Sequence, residues 1–254
     1  MEVAIGVAVA LGLILLGNAL EGGHFGSILG GSAAMIVLGG TIGAVIVQFP
    51  LATVKAAIIG LASTMKKSKH DPAKVVDEIV DYANRARKDG ILSLERAVTE
   101  ASHPFLGKAL TMAIDGVDSN TLRETMEQSI MQSAEHGEDA AKVFEAGGGY
   151  SPTIGIIGAV LGLIHVMSNL SDINAVGSGI AAAFVATIYG VAIANIFFLP
   201  LAGRIKMRVR EESTLLDMML QGVLAIQAGM NPKLVRERLA QFLPPHGHKP
   251  DAKT

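Results

Sequence analysis

Cysteine is absent from the 254 residues, which excludes a disulfide framework, a thiolate nucleophile and any Cys-ligated metal, and leaves the redox compartment unspecified. Tryptophan is absent as well. The net charge is only −2, and the basic residues sit beside apolar runs rather than in a patch of their own, so nucleic acid is set aside as a partner. The most informative lack is local. From Ala146 to Ser171, and again from Ile173 to Gly203, there is no Asp, Glu, Lys or Arg, and each tract holds the roughly 20 residues a helix needs to cross a bilayer's hydrocarbon core. Half of the chain is apolar, yet 17% charged residues require a substantial aqueous part.

Two further apolar runs lie near the N-terminus. Val3 to Leu20 is uncharged and mostly aliphatic; with no basic stretch before it and no small-x-small site closing it, it reads as a retained span rather than a signal peptide. After a polar turn at Glu21-Gly22-Gly23-His24, the run Ser27 to Val54 is rich in glycine (Gly30, Gly31, Gly39, Gly40, Gly43), which lets transmembrane helices approach closely, and Pro50 kinks or ends it. Lys66-Lys67-Ser68-Lys69 follows this run, and Arg204, Lys206, Arg208 and Arg210 follow the last one. The short connections Glu21 to Gly26 and Ser168 to Asn174 carry no Lys or Arg. The positive-inside rule then puts both termini and the central segment in the cytoplasm. The fold class expected is all-α, a polytopic membrane protein with four transmembrane helices in two hairpins and a helical cytoplasmic domain. The segments expected are 1–54 (first hairpin), 55–150 (cytoplasmic helices), 151–203 (second hairpin), 204–245 (C-terminal cytoplasmic helices) and 246–254 (disordered tail).

The central segment has helical pattern and no strand-like alternation. Asp71-Pro72 starts a helix with an N-cap and a proline in the first turn, apolar positions recur at Val75, Val76, Ile79, Ala83 and Ala86, and Gly90 ends it. Ile91 to Ala101 and Pro104 to Ile114 are expected as a second and a third helix. A fourth runs from Ser119 to about Phe144, capped by Ser119 or Asn120, and Gly147-Gly148-Gly149 is read as a hinge, since it lacks the Lys-Ser/Thr of a phosphate loop. Leu215, Met218, Met219 and Leu220 recur in a helix running from the fourth span into the cytoplasm. Asn231-Pro232 starts a last one that Pro244-Pro245 stops.

Chemistry inside lipid must come from the few polar and helix-perturbing residues of the second hairpin, Pro152, Thr153, His165, Thr187, Tyr189, Asn195 and Pro200. These face protein, water or an ion path rather than lipid; the competing reading is hydroxyls bonded back to their own helix and prolines that only kink. No carboxylate occurs in any of the four spans, so if ions move here a second polypeptide supplies the acid. Outside the membrane, Arg85, Arg87, Lys88, Asp89, Glu95 and Arg96 crowd into twelve positions. They read either as a solvated face laced with charge pairs or as a docking surface for a charged partner. No enzyme is expected, because Ser178 between Gly177 and Gly179, with His165 as an imagined base, is explained by helix packing, and His246 and His248 are far short of a metal site.

Four blocks carry a resemblance. They are Ala86 to Glu95 (ARKDGILSLE), Ser151 to Ile164 (SPTIGIIGAVLGLI), Thr187-Ile188-Tyr189-Gly190 running on to Asn195 and Phe198-Leu199-Pro200-Leu201, and Gly222 to Gln227 with Asn231-Pro232. With them the chain resembles, from the first hairpin to about Leu243, the MotA/PomA family of bacterial flagellar stator subunits. The resemblance implies a ring of subunits, a homopentamer in the inner membrane, around a MotB dimer whose transmembrane aspartate carries the ion. It implies that Arg87, Lys88 and Glu95 meet the rotor protein FliG, and that Pro152 and Pro200 shape the ion path and its coupling. Thr187 matches a channel-facing threonine, and Ala159 stands where sodium-type relatives carry threonine, which favours protons over sodium. No cofactor is implied. The rival readings are a TolQ/ExbB-like energiser of an envelope process and a non-conducting membrane scaffold.

Overall fold

In the computed structural model of the chain, residues 2–64, 70–168 and 170–243 are described. Eleven α-helices order them: α1 (Glu2–Leu20), α2 (Phe25–Ile28), α3 (Gly31–Gln48), α4 (Leu51–Thr64), α5 (Pro72–Asp89), α6 (Glu95–Glu100), α7 (Pro104–Ile114), α8 (Ser119–Ser168), α9 (Ile173–Ala192), α10 (Leu199–Gln227) and α11 (Pro232–Ala240). No strand occurs among these residues. A 3₁₀ turn (Ile91–Leu94) precedes α6, and a wide i→i+5 coil (Ile193–Phe198) joins α9 to α10. Four helices are long and apolar enough to cross a membrane: Val3–Leu20, Phe25–Gln48, Ser119–Ser168 and Val176–Gln227, the last two carrying most of the two charge-free tracts. The predicted basic run Lys66 to Lys69, the Pro244-Pro245 stop and the tail lie outside the described residues.

The chain forms two compact units, one of Met1–Lys66 with Gly137–Met207, the other of Lys67–His136 with Arg208–Thr254. These divisions fall twelve to fourteen residues away from the expected 54/55 and 150/151, because α4 and α8 continue as helix past the ends of the apolar runs.

In the first unit, Gly22 at φ +82° makes the turn after α1, and Pro50, which has no N–H to donate, separates α3 from α4. Ala33 and Val37 of α3 pack on Val185 and Ala186 of α9, with Tyr189 and Ile193 beside them. The expected hinge at Gly147-Gly148-Gly149 is continuous helix. A side chain at Gly147 would stand 2.6 Å from Phe198 Cε1, and one at Gly148 2.6 Å from Leu199 Cδ2. These two glycines are small because another helix lies on them, and α8 accordingly runs on past Phe144 to Ser168.

In the second unit, Asp71 accepts from the Ala73 N–H at 3.1 Å and Pro72 opens α5, as their order predicts. Val75, Val76, Ile79 and Ala83 then bury one face of α5 against Leu106 and Leu110 of α7, Leu122 and Met126 of α8, and Met218, Met219 and Leu220 of α10. Val235 and Leu239 of α11 complete this core, and Arg236 pairs with Asp77 at 2.7 Å. Tyr82 donates to Glu78 at 2.6 Å; burial, then the neighbouring carboxylate, hold its hydroxyl well above the ordinary tyrosine range, so it stays a donor. His103 caps α7 by accepting from the Phe105 N–H at 3.1 Å, and its other ring nitrogen lies 3.4 Å from the Glu212 carboxylate on α10. The cap of α8 is Asp118, whose carboxylate accepts from the N–H groups of Asn120 and Thr121 at 3.0 Å each, rather than Ser119 or Asn120.

Candidate functional site

The second hairpin is held by a seam of small residues. On α8 these are Ser151, Gly155, Gly158 and Gly162; on α9 they are Gly179, Ala183, Ala186 and Gly190. Each row steps by four, three and four, which keeps it on one face of a helix. The contact is between backbones: a Cβ on Gly190 would stand 2.6 Å from the Ser151 carbonyl oxygen and 3.1 Å from Gly155 Cα, and one on Gly155 would stand 2.9 Å from the Ala186 carbonyl oxygen. The fully buried Ser151 hydroxyl donates across the seam to the Gly190 carbonyl at 3.0 Å. Reading the polar exceptions alone overlooks Ser151. Its signal lay in the sequence, one residue before Pro152 and in register with the glycines.

This seam sorts the expected path residues. Ile154 of α8 lies against Gly40, Gly158 against Ile36, and Val185 of α9 against Gly30, so α3 and the linker before it cover one side. At about 100° per residue, Pro152 and Ala159 of α8 and Thr187 of α9 fall together on the other side. Thr187 is half-buried and its hydroxyl returns to the Ala183 carbonyl at 3.3 Å. Thr153 points away from the seam, exposed, with its hydroxyl on the Tyr150 carbonyl at 2.8 Å. Tyr189 lies on the side of α3, because two residues along a helix is a turn of about 200°. It is therefore apart from Thr187, and its hydroxyl binds backbone of the first hairpin.

Pro200 is exposed in the first turn of α10, two residues after the wide coil Ile193–Phe198. A proline inside a continuous helical run costs a rung of the ladder, and i→i+5 turns of this kind are where a helix absorbs such a loss. Within that coil Asn195 is exposed and its amide donates to the Val191 carbonyl at 2.9 Å.

The second unit carries the other candidate cluster, a corner built by Gly90 at φ +82° between α5 and the 3₁₀ turn. Leu94, fully buried, anchors the corner from inside, and the Ser93 hydroxyl donates to the Gly90 carbonyl at 2.7 Å. Outside it stand Arg87 and Lys88 in the last turn of α5 and Glu95 at the start of α6, all exposed. Cations at a helix C-terminus and an anion at an N-terminus complement the helix dipoles. Arg85 is paired with Asp81 at 2.7 Å, whereas Arg87, Lys88, Asp89, Glu95 and Arg96 pair with no described residue. Their charges are free to meet another molecule.

Two family models match the chain, that of the MotA/TolQ/ExbB proton channel family over residues 97–218 and that of the motility protein A N-terminal region over residues 4–89. Among curated relatives, motility protein A of Bacillus subtilis is 30% identical over 244 residues, covering 94% of this chain and 89% of that one. The chemotaxis protein PomA of Vibrio alginolyticus is 32% identical over 224 residues, covering 87% of each. Among solved structures, that of C. jejuni MotAB matches with a TM-score of 0.91 at 29% identity over 96% of both chains, and the flagellar MotAB stator complex from Bacillus subtilis with 0.90 at 30% identity over 97% of both.

Proposed function

The chain belongs to the MotA/TolQ/ExbB proton channel family, and from that premise we propose that it is a flagellar stator subunit which forms, with a MotB-like partner, an ion channel coupling ion flow to torque. The observation that carries this is likeness over almost the whole chain, first hairpin and cytoplasmic helices included, to subunits of solved stator complexes. An envelope energiser sharing only the second hairpin does not account for that extent.

The division of labour follows from the spans. None of them holds a carboxylate, so the ion-carrying acid comes from the partner, whose aspartate lies against the side of the seam bearing Pro152, Ala159 and Thr187. Loading that aspartate removes a charge from a low-dielectric site, a change of several kcal/mol, enough to select between two packings of the helices around it. Pro152 and Pro200 are where the helices yield. Ala159, without a hydroxyl, offers no ligand to a dehydrated cation, which favours protons. The subunit closes into a pentameric ring in the inner membrane with both termini in the cytoplasm. Arg87, Lys88 and Glu95 meet charges on the rotor protein FliG in brief, repeated contacts.

The test is motility of a stator-deleted flagellated cell expressing this chain with a cognate MotB-like partner. Swimming without sodium, cut at least twofold by Glu95→Lys, is the expected result. No swimming in any medium, with the protein inserted in the membrane, would overturn the reading.

A further inference from the structure

The backbone between α2 and α3 is not helical. Leu29 (φ −88°, ψ 103°) and Gly30 (φ −123°, ψ 102°) are extended, which leaves the carbonyl of Ile28 and the N–H of Gly30 outside either helix's ladder. Such groups need partners where water is scarce. Both find the same one: the Tyr189 hydroxyl donates to the Ile28 carbonyl at 2.8 Å and accepts from the Gly30 N–H at 3.1 Å. A hydroxyl supplies both the donor and the acceptor from a single atom. Gly30 fits because its backbone comes close to α9, where a Cβ would stand 3.1 Å from Val185 Cγ1.

The next residue is the closest approach of backbone to backbone in the other contact. Gly190 lies against Ser151, Pro152 and Gly155 of α8. Adjacent residues thus hold α9 on two sides, Tyr189 by hydrogen bonds to the linker and Gly190 by backbone contact with α8. A rotation of α9 about its axis must break one or the other. Thr187, on the side of α9 turned away from the linker, is oriented by the same two restraints.

We propose that Tyr189 is a positioning residue, a latch between the α2–α3 linker and α9 that sets the orientation in which α9 presents Thr187 to the ion path. The proposal rests on the stator reading above, and it assigns the first hairpin a part in ion transfer although that hairpin carries no candidate path residue.

The test is Tyr189→Phe, which keeps the ring and removes only the hydroxyl, expressed with the partner subunit in the stator-deleted cell. Three quantities are measured: membrane abundance, the number of stator units engaged on tethered motors, and speed added per unit at high and at low load. At low load ion transfer sets the speed, so a misoriented path shows there first. The latch predicts wild-type abundance and unit number, with low-load speed per unit falling at least twofold and more than high-load speed. Wild-type speed per unit at both loads overturns it. So does a fall in abundance or unit number with speed per engaged unit unchanged, the outcome of a purely structural role. If Tyr189→Phe does not accumulate, Gly30→Ala becomes the test, since it presses the linker away from Val185 with the hydroxyl in place. A milder low-load loss is then expected, and wild-type behaviour overturns the latch. If the wild-type chain itself fails to drive motility, the stator reading has failed, whereas a swimming wild type with an equal Tyr189→Phe fails the latch alone.

Discussion

At Gly190 one hydrogen in place of a methyl group sets the distance between two helices. A Cβ there meets the Ser151 carbonyl oxygen at 2.6 Å and Gly155 Cα at 3.1 Å, both backbone, so no side-chain rotation relieves it. Gly190→Ala must push α8 and α9 apart, an overpacking cost of about 1–3 kcal/mol, and separate Pro152 and Ala159 from Thr187. Gly149 is the control. It is exposed, in the same long helix, with nothing within 4 Å of its Cβ direction. Gly149→Ala is expected to leave motility unchanged and raise thermal stability slightly, because alanine is the better helix former, while Gly190→Ala abolishes swimming at normal abundance. Impaired swimming by Gly149→Ala would restore the hinge that the triglycine first suggests. The same residues show what was legible. The glycines announce close helix contact from their spacing alone, but which of them face a backbone and which face open space depends on the neighbour, and the neighbour of Gly147 is Phe198, fifty-one positions along the chain.

Element by element, termini written in local chemistry were readable, and those decided by tertiary packing were not. Asp71-Pro72 and Asn231-Pro232 start helices where their order predicts, since the capping carboxylate or amide and the proline act within three residues. The far end of α8 was missed because its continuation through Gly147, Gly148 and Pro152 is stabilised by α9 and α10 rather than by its own sequence. Its near end was misplaced by one residue. Asp118 caps α8, and hydrogen bonds from Thr121, side chain first and then backbone, hold its carboxyl below the usual aspartate range. A depressed folded-state pKa means that the cap's contribution is present above the ordinary value of 3.8 and is lost as pH falls through the lower folded value. Hydrogen exchange at Asn120 and Thr121, referred to the intrinsic rates, should therefore be protected at neutral pH and lose protection only as the pH falls below the ordinary aspartate range. Asp118→Ala, which leaves no side-chain acceptor, should show reduced protection of these amides with little dependence on pH. Equal protection in the two proteins at pH 7 would remove Asp118 from the cap.

For the whole molecule the governing fact is a mismatch between its membrane part and its task. The four apolar spans hold hydroxyls, amides, a histidine and prolines, but no carboxylate. A proton crossing a low-dielectric core needs a series of sites or a carrier that binds and releases it near ambient pH. Hydroxyls bonded back to their own helices, as those of Thr153 and Thr187 are, cannot serve, and the imidazole of His165 lies three residues from the end of α8, away from Pro152 and Thr187. The lack of a carboxylate was legible from composition. What was not legible is how the expected path residues divide, Pro152, Ala159 and Thr187 to one side of the seam and Tyr189 to the other, because helical spacing gives angles within one helix but not which neighbour covers which face. The mismatch makes a quantitative expectation for the purified protein. Proteoliposomes containing this chain alone, energised by a potassium diffusion potential and read with an internal pH dye, should leak protons no faster than empty vesicles. Reconstitution with the MotB-like partner should raise the flux, and replacing the partner's transmembrane aspartate by asparagine should return it to the background. Thr187→Ala in the complete complex should lower the flux without abolishing it if, as proposed, the hydroxyl shapes the path while the partner's aspartate carries the charge. Proton flux through the chain alone at the level of the complete complex would mean that its own polar groups conduct, and the assignment of the acid to a second polypeptide would fall.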